Sequence, residues 1–448
     1  PGAIGSQAVR RLRPRDKFGQ FLKYVRQVYD LPALLHAVPD RRPRPQVPTA
    51  AVLGSLIFGA VLRLRSLNAL EGALRHRPFQ RLLGRRLSEG VKTFSADTIA
   101  RVLDGLDSEQ IRRQLHRVVF TADHNKAFQE GLRAGLRCVA IDGWEPCCSQ
   151  ARSGPACLTR QRGSDASPGR TESYHRLAVA LLLGRDADVV LGVEPQLNLA
   201  ERHRAGEVEA TTDEGELTAA LRLVHDLHQR YGALIHLFVL DGLYPNGPMM
   251  TAITRCGRSA VITLRKDTDE PLKEALALFR NQPPTREWDD LERREHVRAW
   301  DIRDLRTLDT FDGPIRVVRC EVSPFGVAAP PHIWCAAVIG PAAAHLTTRA
   351  VLDIQRARWH IENTAFHQWT VHYNLARVYR HSPRAVLNVV LLWMLAFNLM
   401  QLFVYRRLRR RRHPLDPCHT ILHIVAQMRA GLATLRARVL WPAPADTS

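Results

Sequence analysis

Two short apolar runs, each closed by Asp-Gly, constrain this 448-residue chain more than any other feature. Leu136, Cys138, Val139, Ala140 and Ile141 lead into Asp142-Gly143, and residues 234–240 lead into Asp241-Gly242. Runs this short and this apolar read as strands buried on both faces. Before the second run, Leu217, Leu221, Val224 and Leu227 recur at helical spacing, so a helix is expected over 214–231. Strand, helix and strand in that order point to an α/β fold. In such folds reactive groups gather at the carboxyl ends of strands. An Asp-Gly pair alone is also an ordinary turn, so the matched endings need a third element.

The rest of the chain divides by pattern. Residues 1–49 form a basic segment with a helix expected over 18–28 and then a Pro-rich linker. Residues 50–133 keep helical periodicity, with Ser95 as an N-cap and arginines on the outer faces. They read as a helical, DNA-binding domain, or equally as solvated helix faces. An α/β unit is expected over 134–266, with strands at 177–183, 188–193 and 260–264 and a Cys/Ser/Gly-rich stretch over 147–171. Residues 267–350 are polar with short alternating runs (315–322 and 332–339) and read as a mostly β insertion. Residues 351–411 return to helix and complete the core, and 412–448 hold a last helix (421–439) and a tail.

The net charge of +20, from 64 Lys+Arg against 44 Asp+Glu, favours a polyanionic partner. Coding bias accounts for Arg replacing Lys but not for the excess over acids. Eight scattered cysteines fit a reduced, cytoplasmic compartment. Residues 385–404 are long enough to span a membrane. Asn388, Asn398 and Gln401 interrupt them, so a buried core helix is expected and no membrane partner.

The third element is the helical stretch 356–367, where Arg358 and Glu362 stand four apart and share a face. Such a pair is usually a surface salt bridge. Here Trp359, Ile361 and Phe366 flank it, and a buried carboxylate needs a partner or a metal. Ile141-Asp142-Gly143, residues 239–244 (Val-Leu-Asp-Gly-Leu-Tyr) and residues 358–363 (Arg-Trp-His-Ile-Glu-Asn) together resemble the three acidic motifs of DDE transposases, closest to the IS4-like insertion-sequence group. Tyr174-His175 before a strand and Glu214-Gly215-Glu216-Leu217 opening a helix also fit, and the resemblance runs over roughly 50–405.

The resemblance implies an RNase H-like catalytic core interrupted by the β insertion, with the helical domain N-terminal to it. Asp142, Asp241 and Glu362 are then the catalytic residues and the ligands of two Mg2+ ions, with Mn2+ as a substitute. Hard cations take oxygen ligands, and a metal pair can stabilise both the attacking and the leaving oxygen. The implied partners are the element's terminal inverted repeats and target DNA, met by a homodimer in a synaptic complex in a bacterial, nucleoid-associated setting. The alternative is a catalytically impaired DNA-binding remnant of such an element.

The family's last motif carries Tyr and Lys where this chain has Gln355 and Trp369. Arg358 is expected to grip phosphate, with His367 or Arg377 replacing the absent Lys. Arg406, Arg407, Arg409 and Arg410, in the densest basic run, are expected on the DNA backbone. Trp288, Trp300 and Trp334 are candidates for base stacking, against packing within their own subdomain. Cys147, Cys148 and Cys157 with His175 make a weak zinc pattern, with free thiols as the default.

Overall fold

The computed structural model describes residues 16–40, 42, 44–83, 94–151, 153–162, 169–185, 187–265, 269–377, 379–380, 382–408 and 420–433. Its strands are β1 (Cys138–Ser149), β2 (Leu158–Arg162), β3 (Arg170–Leu182), β4 (Val189–Pro195), β5 (Leu237–Leu240), β6 (Ser259–Thr263), β7 (Arg286–Asp290), β8 (Glu295–Leu305), β9 (Ile315–Pro324) and β10 (His332–Ile339). They form one mixed ten-stranded sheet in the order β2-β3-β1-β5-β6-β10-β9-β8-β7, with β4 paired to β3. The β1–β5 and β5–β6 pairs are parallel, and the rest are antiparallel. Every residue of β5 and β6 is buried, as parallel strands covered on both faces require.

The chain is mixed α/β, as its alternating patterns predict. The strands of the polar region 267–350 join the sheet through β10, which pairs with β6. They therefore lengthen the central sheet, and the region opens with a helix, Glu270–Phe279.

Among the described residues seven helices precede the sheet: α1 (Lys17–Tyr29), α2 (Leu31–His36), α3 (Thr49–Val61), α4 (Leu67–Leu74), α5 (Arg77–Leu82), α6 (Ala96–Gly105) and α7 (Ser108–His124). Ser95 caps α6 by accepting from Thr98 N–H. The helix read at 18–28 is α1, and α2 follows where a linker was expected because Leu31, Leu34 and Leu35 are buried. Within and after the sheet come α8 (Leu199–Arg204), α9 (Glu216–Tyr231), α10 (Gly247–Arg255), α11 (Glu270–Phe279), α12 (Thr348–Ala357), α13 (His367–Val371), α14 (Pro383–Leu402) and α15 (Ile421–Ala433).

The helix α14 is the apolar stretch read as a core helix. It packs against α3, α6, α7 and β4, so the N-terminal helices share their interior with the sheet. By length and apolarity the helical run Pro383–Leu408 could cross a membrane, yet 89% of its most apolar window is buried inside the protein. Its polar residues have internal partners. Asn388 donates to the carbonyls of Leu103 and Leu106. Asn398 accepts from the N–H of Val190 and donates to its carbonyl, both at 2.8 Å, and so completes the hydrogen bonding of β4 there. Each unmade bond of that kind would cost about 1–3 kcal/mol.

Candidate active site

The parallel register Ile141↔Leu240 places the following residues, Asp142 and Asp241, side by side at one end of the sheet. There β5 stops. The expectation that β1 also stops at Asp142 needs correction: it runs on to Ser149, because β3 stays paired to it through Asp142↔Val179, Gly143↔Ala178 and Trp144↔Leu177. The Cys/Ser/Gly-rich stretch 147–171 accordingly includes the end of β1, all of β2 and the start of β3. The end of β1, the strand β2 and the start of β3 make an arm, tied by Arg160 to Glu145 and Glu172 and stacked on Tyr174.

Glu362 reaches the same place from far along the chain. After α12 the helix turns tightly at 358–360 and continues as a π-helical turn, Ile361–Phe366. Such wide turns in helices recur at functional sites. Arg358, at the end of α12, has a side chain only 3% exposed, and its Nη1 donates to Asp142 Oδ2 at 2.7 Å and to Glu362 Oε1 at 2.8 Å. The Arg358–Glu362 pair expected from spacing is therefore real, and it is shared with an aspartate 216 residues away in sequence.

Aromatic packing fixes this segment against β1. Trp144, two residues after Asp142, stacks on Phe366 at 6.0 Å and meets Trp369 edge-on at 5.0 Å, and Trp369 meets Phe397 of α14. Trp369 is fully buried, so the residue at the family's Lys position serves the core. Gln355, at the Tyr position, is also buried, and its amide donates to Cys335 O and Thr263 Oγ1.

Burial pushes the Asp142 carboxyl up to about 7, against the pull of Arg358, and Asp241, Glu362 and Glu216 raise it further. Three other carboxylates thus act on Asp142. Asp142 Oδ1 accepts from Gly143 N–H, and Asp241 Oδ1 accepts from Leu243 N–H in a local turn. Glu362 is the most open of the sequence-predicted acids its partner Arg358 touches, at 47% against 14% for Asp142.

The other expected residues lie as follows. His367 and Arg377 are exposed. Arg407 is exposed, whereas Arg406 donates to the carbonyl of Asn125 beside Glu130, in the segment leading into β1. Arg409 and Arg410 lie outside the described residues, as does the end of the helix expected over 421–439. Trp300 is buried, with its indole N–H donated to Gln282 O and Arg319 over its ring. Trp288 is half-buried against the core. Trp334 is half-buried, 6.4 Å from the exposed Trp359 that follows Arg358.

The zinc pattern is not assembled. Cys157 stands 3.5 Å from His175 Nε2, Cys148 is exposed, and burial pushes the Cys147 thiol up to about 11. Among the described residues, no group of three or more His, Cys, Asp or Glu side chains is arranged to hold a metal ion. Between two of the acids, Asp142 and Glu362, stands the Arg358 guanidinium.

Sequence reading passed over Glu216. Its neighbour Glu214 is spent on Leu197 N–H and Arg222, while Glu216 accepts from Tyr244 O–H and pairs with Arg176. The segment was visible as Glu-Gly-Glu opening a helix, but nothing in it separates the two glutamates.

Residues 207–399 match the family model described as a transposase DDE domain. The match spans less than half of the chain; it includes Asp241, Arg358 and Glu362 and begins after Asp142. It supports a DDE transposase. No curated protein matches the chain.

Proposed function

We propose that this chain is a transposase of the IS4-like group that cuts the ends of its element and joins their 3′-OH to target DNA. The convergence of Asp142, Asp241 and Glu362 at one end of the sheet carries the reading. The order β4-β3-β1-β5-β6, with β1, β5 and β6 parallel, supports an RNase H-like core. The strands β7 to β10 are then an insertion between that core and the helix carrying Glu362.

The donor set suits Mg2+ or Mn2+: carboxylate oxygens, with a cation already drawn between two of them. Asp142, Asp241 and Glu362 would hold two such ions, which when bound stabilise the attacking and leaving oxygens of phosphoryl displacement. Asp142 and Asp241 are set by strand pairing, and Glu362 is brought to them by its helix. Arg358 would hold a phosphate oxygen beside the cleaved bond. His367, Arg406, Arg407, Arg409 and Arg410 would take backbone phosphates of the terminal repeats and the target. Of the tryptophans, Trp334 suits base stacking better than Trp288 or Trp300, being beside the exposed Trp359 that follows Arg358. A homodimer bridging two element ends, in the cytoplasm with the nucleoid, completes the reading.

The test uses the purified full chain, a duplex carrying the element's own ends and Mg2+. Cleavage at those ends is expected, and Asp142→Asn should abolish it while leaving DNA binding largely intact. Continued cleavage by that variant would reject the assignment.

A further inference from the structure

We infer that Glu216 is a positioning residue of this centre: it locks the Asp241 loop to the Asp142 strand and so sets the spacing of the two aspartates. The inference rests on the proposed metal-dependent reading and assigns a residue that the acidic motifs leave out.

Asp142 and Asp241 follow paired strands, but only the former lies within a strand. Asp241 begins an irregular stretch that ends where Asn246 caps α10 by accepting from Met249 N–H. Pairing with β1 fixes the stretch at its start, and the cap fixes it at its end. Between them the anchor is Tyr244, which is fully buried and donates its hydroxyl to Glu216 Oε1 at 2.7 Å. Burial, with Glu216 next to it, raises the Tyr244 hydroxyl far above its usual range, so it remains a donor.

The same carboxylate touches the other strand. Glu216 lies so close over Gly143 that a Cβ at 143 would run into it, which explains why glycine follows Asp142. From β3, Arg176 Nη2 approaches Glu216 Oε2 at 2.7 Å and balances its charge. One buried side chain, at the first turn of α9, therefore meets β1, β3 and the Asp241 loop. A residue placed only to start the helix would need none of these contacts. The first turn of a helix favours an acid in general, but that preference is met equally by an exposed glutamate.

Groups that orient metal ligands typically cost 10–100-fold in metal affinity when removed. The experiment measures Mn2+ affinity of the full chain by calorimetry, beside the thermal midpoint, for Glu216→Ala, Glu216→Gln, Tyr244→Phe and the double variant Glu216→Ala/Tyr244→Phe. Glu216→Ala and Tyr244→Phe should each weaken Mn2+ by about tenfold or more. The double variant should be no worse than the weaker-binding single one, since both cut the same link. Glu216→Gln, which still accepts from Tyr244, should recover most of the loss. Should Glu216→Ala fail to fold, Tyr244→Phe against Glu216→Gln carries the same comparison.

Wild-type affinity in Glu216→Ala and Tyr244→Phe overturns the inference. So does a Gln variant as weak as Ala beside an unaffected Tyr244→Phe, because that pattern marks a direct ligand. A wild-type chain that binds no Mn2+ instead rejects the metal-dependent reading on which the inference stands.

Discussion

The two halves of the acidic centre are held by different means. Asp142 and Asp241 are brought together by backbone pairing, through the register Ile141↔Leu240, with Glu216 and Tyr244 tying the loop that follows Asp241 to the same strand. Glu362 owes its place to side chains: the Arg358 guanidinium on one side and the Trp144, Phe366 and Trp369 cluster on the other. Strand pairing is repetitive and tolerates exchange of most side chains. A position held by a few large side chains depends on each of them. Outside the Glu216–Tyr244 link, the first half should therefore survive most substitutions nearby, and the second should fail sharply.

The largest expected effect is on the side-chain half. Trp369→Ala removes a fully buried ring and should destabilise the chain by roughly 3–5 kcal/mol. Denaturant midpoints measure this. Trp369→Lys, which restores the family's residue, should be at least as damaging, since the charge would enter the core unpaired. A stable Lys variant would show that the aromatic cluster does not hold Glu362.

A smaller effect, of opposite sign, is expected in the backbone half. The folded Asp142 carboxyl sits at about 7, above the ordinary carboxylate range of the unfolded chain, so the folded state binds the proton more tightly. In metal-free buffer its contribution to stability is fully present at low pH and is lost as pH rises from about 4 to about 7. Asp142→Asn should remove that slope and be more stable than the wild type at pH 8, by about 2 kcal/mol once the lost attraction to Arg358 is set against the roughly 4 kcal/mol that the shift converts to. Thermal midpoints across pH, with chelator present, decide it. A variant that keeps the slope would move its origin to another group.

The smallest effect concerns the link between the halves. Arg358→Ala leaves Asp142 and Glu362 without their shared donor, and should cost about 1–3 kcal/mol in metal-free protein. The half-exposed Glu362 keeps water as a partner, which limits the loss. The same variant should bind Mn2+ more tightly than the wild type, because no guanidinium competes for the carboxylates. Weaker Mn2+ binding would instead mean that Arg358 supports the ion.

This division also explains what the sequence made legible. The runs before Asp142 and Asp241 are apolar because their strands are covered on both faces, and that leaves a plain signal. The continuation of β1 through Ser149 leaves none, since it is paired mainly with β3 and the arm around it is polar. Gln355 and Trp369 look like missing catalytic groups when set against a family motif, and only packing reveals them as core. The role of Glu216 depends on a tyrosine 28 positions away and a glycine on another strand, contacts that no local spacing encodes. The π-helical turn is likewise silent, because its residues would suit an ordinary helix.

The helix α14 has a consequence for when the protein becomes whole. Synthesis runs from the N-terminus, so α3, α6 and α7 leave the ribosome long before the segment that fills the space between them. Until α14 arrives, their inward faces have no permanent covering, Val190 lacks Asn398, and Trp369 lacks Phe397. The acidic centre is thus completed only once α14 has been made. A chain cut short before α14 would possess both aspartates and yet lack the Phe397 contact that backs the Trp369 cluster beside Glu362.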